Sequence, residues 1–320
     1  MREEEYRQLD FCIALQNKLK ERIGADLLKI EHHTFRKANI VIEGLIVKMK
    51  DSNIVPVIYP EEFYEQYRQG LSIDTMIDRF LDSYRHIDKN MTDFTKETLM
   101  TNAYTVVINA EMNRELLKTV PYKIVAGNLA EVARFRVKSD DESNSSFLIT
   151  NQHLKHLHML DDEVLEIAHK NTENQEYILQ SLYKLTLDML SDEELREIFE
   201  DEYTDEGVYV LTNKTNLEGA NVIASERILR EVSEKIDSGF YALPSSRHEI
   251  IIVSDKFNVD PKYLQQMVCE VNQTLKQKDF LSDDIYYYNA EKRVLSMYSD
   301  VEKQEKTLSK VIDKKHTMKH

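Results

Sequence analysis

The sequence predicts an α+β protein in which mixed or antiparallel sheets pack with helices. Strand-like runs occur in neighbouring groups joined by short polar turns, a pattern typical of antiparallel pairing. Amphipathic stretches with helical spacing lie between these groups. With 42% hydrophobic residues among 320, the chain can bury a real core.

Residues 1–90 are expected to form one compact unit, a helix and a three-stranded sheet followed by further helices. The predicted elements are a helix at 4–23, strands at 27–35, 39–49 and 53–60, and helices at 61–69 and 72–86. The apolar phase of the second strand changes at Gly44, which predicts a bulge there.

Residues 91–300 are expected to form a larger α+β region. Its predicted strands lie at 104–109, 128–137, 147–150, 207–213, 220–225, 240–246, 248–254, 285–289 and 293–298. Its predicted helices lie at 111–120, between 152 and 199, at 226–236 and at 261–276. Residues 301–320 are expected to be a basic flexible tail.

Composition excludes several classes of protein. A net charge of −15 argues against binding to a nucleic-acid backbone or to an anionic membrane surface. There is no run of about 18 apolar residues and no apolar leader after MREEEYRQLD, so we expect a cytoplasmic protein. Cys12 and Cys269 are far apart and are predicted to be free thiols.

The glycines exclude the usual nucleotide-binding loops. A loop that cradles phosphate needs closely spaced glycines, so that its backbone can approach the anion. No two glycines here lie within ten residues of each other; they stand at 24, 44, 70, 127, 207, 219 and 239. Because neither GxGxxG nor GxxxxGK[ST] can be formed, we expect no cofactor.

One segment, with a net charge of −8, accounts for about half of the net charge of −15. Residues Asp192–Glu206 contain nine acids and one base, whereas 302–320 carry six lysines and three acids. A block of like charge is usually a solvated face. The alternative is a surface that docks a basic protein partner or the chain's own tail.

Reactive side chains concentrate in the segment Ser245-Ser246-Arg247-His248-Glu249. On a strand, Ser246 and His248 would share one face, which makes a nucleophile and base pair possible. Asn213, at the end of a predicted strand, could donate to an oxyanion or a substrate. The alternative is a tight turn in which the serines cap backbone N–H groups.

Histidines offer a poor metal site. On a helix, His153 and His156 share a face, whereas His158 does not. Zinc needs a third ligand, which this segment does not supply. We therefore predict no metal site and interpret these side chains as a polar helix end. If a metal did bind here, His153 and His156 would be its candidate ligands.

Several stretches resemble the bacterial family of unknown function DUF5688. They include FLITNQHLKHLHMLDDEVLEIAHKNT (147–172), VYVLTNKTNLEGA (208–220), FYALPSSRHEIIIV (240–253) and LSDDIYYYN (281–289). The resemblance extends to about residue 290. It implies one bacterial, cytoplasmic α+β unit and carries no established activity. The chain departs from the family pattern at Asn221 and at Arg247.

Three functions fit these observations. The preferred one is a protein- or peptide-binding, regulatory module, because the surface is acidic and no known active-site motif is present. The second is a hydrolase or transferase with a site formed by Asn213, Ser246, His248 and Glu249. The third is an acidic mimic of nucleic acid, which needs two rows of carboxylates at phosphate-like spacing.

Overall fold

The computed structural model describes residues 2–50, 55–90, 93–137, 146–202, 207–215 and 218–301. The fold is α+β with antiparallel sheets packed against helices, as predicted. The chain divides into two compact units, Met1–Asp93 with Val137–Ser145 and Phe94–Arg136 with Ser146–His320. The predicted tail lies, from residue 302 on, outside the described residues.

The first unit contains the predicted helix and three-stranded sheet. Its elements are α1 (Arg2–Ile23), β1 (Leu27–Lys37), β2 (Ile40–Met49), β3 (Val57–Ile58), α2 (Pro60–Arg68) and α3 (Ile73–Asn90). The sheet is antiparallel in the order β1-β2-β3. Leu15 and Leu19 of α1 and Leu45 of β2 are fully buried in its core, which explains the four-residue spacing of α1.

The bulge predicted at Gly44 is wrong. The pairing of β1 with β2 runs unbroken through His33 and Gly44, and its irregularity lies between Leu27 and Lys29. A Cβ at Gly44 would come within 2.7 Å of both Phe35 and Val57. Close packing therefore explains this glycine, because any side chain would collide with its neighbours.

The second unit is larger. Its strands are β4 (Ala103–Asn109), β5 (Tyr122–Ala126), β6 (Leu129–Arg136), β7 (Ser146–Leu148), β8 (Tyr177–Ser181), β9 (Val208–Asn213), β10 (Phe240–Leu243), β11 (Ile250–Ser254), β12 (Tyr286–Asn289) and β13 (Val294–Met297). Its helices are α4 (Lys96–Asn102), α5 (Arg114–Leu117), α6 (Asn151–Leu157), α7 (Asp161–Glu173), α8 (Leu182–Met189), α9 (Glu193–Glu202), α10 (Glu226–Ile236) and α11 (Pro261–Asn272).

Two antiparallel sheets form the second unit. One has six strands in the order β13-β12-β10-β11-β9-β8, so β8 lies at an edge. In the other, β6 pairs with β4 on one side and with β5 and β7 on the other. Leu129 of the smaller sheet and Leu211 and Phe240 of the larger one share a single buried core.

Several predicted elements differ from the structure. The stretch 152–199, predicted to be helical, contains the strand β8, which pairs with β9. The strand predicted at 220–225 is a 3-10 helix, Gly219–Ala224, because Ala220 N bonds to Arg247 O and Asn221 N bonds to Glu218 O, not to a strand. The helix predicted at 111–120 is only the single turn of α5.

Two further observations concern the chain as a whole. Cys12 and Cys269 are free thiols, as predicted. Within the described ranges, every helix is too short or too polar to cross a bilayer.

Candidate functional site

The segment singled out in the sequence is the connection between β10 and β11, and it is not a strand. Leu281 N donates to Ser245 O, Arg247 N donates to Asp279 O, and Ala220 N donates to Arg247 O. The connection is therefore held by two other parts of the chain. The alternation of faces assumed for Ser246 and His248 does not apply here.

Ser246 is used by its own turn. Its side chain is buried, and its Oγ donates to Glu249 Oε1 at 2.8 Å while accepting from His248 N at 3.0 Å. These two bonds fix the turn at both ends. The structure thus brings Ser246 to Glu249 and to the backbone of His248, and not to its imidazole.

The His248 imidazole faces a different part of the chain. Its Nδ1 accepts from Glu218 N at 3.4 Å, and its Nε2 lies 3.4 Å from Asp279 Oδ1. Both contacts are long, and the ring is partly exposed. The imidazole links the loop before the 3-10 helix to the loop that precedes β12.

Asn213 closes the turn that follows β9. Its Oδ1 accepts from Thr215 N at 3.1 Å and from Thr215 Oγ1 at 3.0 Å. The neighbouring Thr212 donates from Oγ1 to His248 O at 2.8 Å. The end of β9 and the β10–β11 connection therefore meet, and Thr212 makes a hydrogen bond between them.

Gly219 permits this close approach. A Cβ at that position would lie 2.0 Å from Thr212 Oγ1 and 2.3 Å from His248 O. The second contact is to backbone, which cannot rotate away. Only glycine fits between β9 and the connection without moving one of them.

Beside the connection lies a group that we call the arginine cluster, formed by Tyr104, Arg134, Arg136, Ser146, Glu218 and Arg247. Arg247 Nη2 donates to Glu218 Oε1, and Arg134 Nη1 lies 3.6 Å from the same oxygen. Tyr104 is directly opposite Arg134 in the β4–β6 pair. Burial raises the pKa of the Tyr104 phenol, and the nearby Glu218 carboxylate raises it further.

Sequence reasoning missed most of this cluster. Glu218 lies next to Gly219 in a predicted turn, where an acid is unremarkable. Arg134 and Arg136 both lie on β6, two residues apart, and could have been placed on one face of that strand. No sequence signal connects them to Arg247, because the contact depends on how two sheets pack.

A second missed pair is Glu131 with His169. Glu131 is almost fully buried on β6, and His169 Nδ1 of α7 lies 2.7 Å from its Oε1. This bond raises the pKa of His169, while partial burial opposes the shift. The sequence did contain one sign of this pair: Glu131 is an acid in the middle of the apolar run NLAEVARF, and a buried acid needs a partner.

Of the two candidate metal ligands on α6, His153 has a structural role and His156 is exposed. His153 Nδ1 accepts from Thr150 N in a capping box, and the ring contacts Phe94 and Phe147. Burial lowers the pKa of His153. Across the residues that can be described, no group of three or more His, Cys, Asp or Glu side chains could hold a metal ion.

The acidic segment includes α9, and its residues 203–206 lie outside the described residues. Asp192, Glu193 and Glu197 are exposed. Between them Leu195 and Ile198 are each 52% exposed, and Met189 just before is 82% exposed. Carboxylates and apolar side chains therefore share one solvent-facing region.

This region extends back to the edge strand β8. No residue is buried in β8 or α8, nor among the described side chains of α9. Yet the sequence there, YILQSLYKLTLDML, is largely apolar. We call the described residues 177–198 the α8–α9 surface.

Fold and site together define an α+β protein with antiparallel sheets. Its second unit contains the arginine cluster and, from the edge strand β8 onward, an acidic and apolar surface. The model of DUF5688, a family of unknown function, matches residues 8–290. The chain belongs to this family, as the resemblance predicted. Neither the curated proteins nor the solved structures gave a significant match.

Proposed function

We propose that the protein is a binding module that docks a basic, amphipathic helix of a partner protein on the α8–α9 surface. The observation that carries the proposal is that a largely apolar segment, 177–190, has no fully buried residue, and of its described side chains Tyr177 and Leu179 pack in part against the core. An apolar helix in a globular protein normally buries its apolar side. A contiguous exposed apolar region marks an interaction site.

The negative charge of the α8–α9 surface indicates which kind of partner it binds. The described acids Asp188, Asp192, Glu193 and Glu197 flank the exposed apolar side chains, and the bases among the described residues 177–198 are Lys184 and Arg196. A partner with lysines and arginines around an apolar stripe matches both features. This combination also favours peptide docking over mimicry of nucleic acid, since a mimic needs carboxylates without apolar side chains between them.

The geometry of Ser246 supports binding over catalysis. Its hydroxyl is buried and already engaged with Glu249 and with the His248 backbone. A nucleophile needs an accessible oxygen and a base that is itself positioned by a third group. Two free cysteines fit a reducing compartment, so we also place this binding function in the cytoplasm.

The test uses a synthetic helical peptide of leucine and lysine, about 18 residues long so that it is helical in isolation. Its binding to the full chain is measured by fluorescence anisotropy at physiological salt, with a leucine–glutamate peptide as the charge control. We expect saturable binding of the basic peptide alone. The double variant Met189→Ser/Leu195→Ser should weaken it by about tenfold.

Matched variants separate a specific surface from general attraction. Tyr263→Ser/Met267→Ser removes two exposed apolar side chains of α11, and Glu61→Gln/Glu62→Gln removes two exposed acids of α2. Both should leave binding unchanged, whereas Glu193→Gln/Glu197→Gln should weaken it. Equal losses in all variants, or self-association of the chain through this surface in place of peptide binding, would contradict the proposal.

A further inference from the structure

The arginine cluster concentrates positive charge in a chain whose net charge is −15. Arg134 and Arg136 project from the same face of β6, because residues two apart on a strand point the same way. Arg247 arrives from the β10–β11 connection. Two guanidinium groups, those of Arg134 and Arg247, thus contact the carboxylate of Glu218, and the third, that of Arg136, lies over the neighbouring Tyr104 ring.

The guanidinium groups have more donors than their described neighbours use. Each arginine side chain carries five N–H donors. Arg134 donates from Nε and Nη2 to Ser146, and Arg247 donates from Nη2 to Glu218. Within the described contacts Arg247 makes no other side-chain hydrogen bond, so most of its donors are left for a ligand or water.

Glu218 shows that these donors converge on an oxyanion. Its Oε1 lies against both Arg247 and Arg134, and its Oε2 accepts from Tyr104 OH at 3.4 Å. The side chains are sheltered but reachable: Arg134 is 22% exposed and Arg247 28%. In such a partly desolvated place, hydrogen bonds between charged groups are stronger than at an open surface.

Two further acids near the connection, both among the described residues, are engaged elsewhere. Asp279 faces the His248 ring, and Glu249 accepts from Ser246. Arg136 lies over the Tyr104 ring, with its Cζ 5.0 Å from the ring centre. Among the described residues of the cluster, three guanidinium charges against one carboxylate leave an excess of two positive charges. A phosphate group carries about −1.5 to −2 at pH 7, which matches this excess better than a carboxylate does.

We propose that the arginine cluster binds a phosphate group, either inorganic phosphate or the phosphate of a small phosphomonoester. Arg247 and Arg134 donate to its oxygens with their free N–H groups, and Arg136 adds charge from the edge. Glu218 holds the two guanidinium groups together and repels the ligand. This site is separate from the α8–α9 surface in its residues and in the sign of its charge.

The test titrates the full chain with inorganic phosphate and with phenyl phosphate by calorimetry, and acetate at equal ionic strength serves as the carboxylate probe. Saturable binding of phosphate, tighter than that of acetate, is the expected result. Arg247→Gln should weaken it by about tenfold, since a charge-assisted hydrogen bond is lost. Arg136→Gln should weaken it by about threefold, and Glu218→Gln should tighten it by a similar factor.

Controls make each outcome decisive. Arg114→Gln removes an exposed arginine of α5, outside the cluster, and should leave the affinity unchanged. Phenyl phosphate binding more tightly than inorganic phosphate identifies an ester ligand, and equal affinities identify the phosphate group alone. Acetate binding as tightly as phosphate would overturn the proposal, as would the absence of saturable binding. If Arg247→Gln does not fold, Arg136→Gln decides, because an unchanged affinity there also overturns it.

Discussion

The β10–β11 connection and the α8–α9 surface are both rich in the residue types that sequence analysis associates with function. In the connection, the reactive side chains contact one another or the backbone: Ser246 bonds to Glu249, and His248 faces Asp279. On the α8–α9 surface, apolar side chains remain exposed, among them Leu182, Met189, Leu195 and Ile198. The difference teaches that residue types alone do not mark a site, whereas burial and internal partners do.

The largest expected loss of stability comes from a substitution at Gly219, in the tight contact beside the β10–β11 connection. Gly219→Ala should lower the free energy of unfolding by about 3 kcal/mol, because its Cβ would collide with Thr212 and with the His248 backbone. Urea denaturation measures the change. Gly24→Ala, which meets no atom but has a φ of +61°, should cost only about 1 kcal/mol. Equal costs would show that the contact is looser than described.

The next largest expected loss of stability comes from breaking the buried pair of Glu131 and His169. Glu131→Gln should lower the free energy of unfolding by about 2 kcal/mol, since it weakens a buried charge-assisted bond to His169. The folded-state pKa of His169 is raised above 6.5, so its contribution is complete below that pH and is lost as pH rises through the raised pKa. Glu173 also raises the pKa of His169, and Lys123 lowers it.

The pH dependence of this pair follows directly. The stability difference between the wild type and Glu131→Gln should be larger near about pH 6 than near about pH 9. Urea denaturation at the two pH values checks it. A difference that is constant with pH, or that grows at high pH, would contradict the assignment of an ion pair between Glu131 and a protonated His169.

A smaller effect is expected from the connection's own serine. Ser246→Ala removes one donated and one accepted hydrogen bond and should cost about 1 kcal/mol. Thermal unfolding measures the loss. No loss of stability would mean that the serine is not needed for the turn, which would restore the catalytic interpretation of Ser246 and His248.

The smallest effect on stability belongs to the α8–α9 surface. Met189→Ser/Leu195→Ser should change the free energy of unfolding by less than about 0.5 kcal/mol, because both side chains are mostly exposed. The same variant should lose most of its affinity for the leucine–lysine peptide. A large loss of stability would show that these side chains support the fold, and the contrast with the connection would disappear.

Elements with a clear period could be predicted from the sequence. The four-residue spacing of α1 and the strand pairs β10–β11 and β12–β13 follow from local patterns that tertiary packing preserves. The 3-10 helix at Gly219–Ala224 could not be predicted. Its apolar residues follow one another as in a strand, whereas its conformation depends on contacts with the β10–β11 connection. The edge strand β8 was missed for a similar reason, since it lies directly between two helices.

The site was less predictable than the fold. The segment 244–249 is rich in polar residues in the sequence, and the tight-turn alternative describes what Ser246 does. Its most informative neighbours, Arg134 and Glu218, come from distant parts of the chain. The exposure of Met189 and Leu195 depends on which faces the rest of the unit covers, and no local pattern contains that information.

The central claim is that the α8–α9 surface is where the protein binds its partner, and hydrogen–deuterium exchange tests it most directly. The full chain is followed with and without the leucine–lysine peptide. We expect the peptide to slow exchange within residues 177–198 and to leave α11 unchanged, although α11 also exposes Tyr263, Met267 and Val271. Slowed exchange at α11 with none at 177–198 would contradict the account.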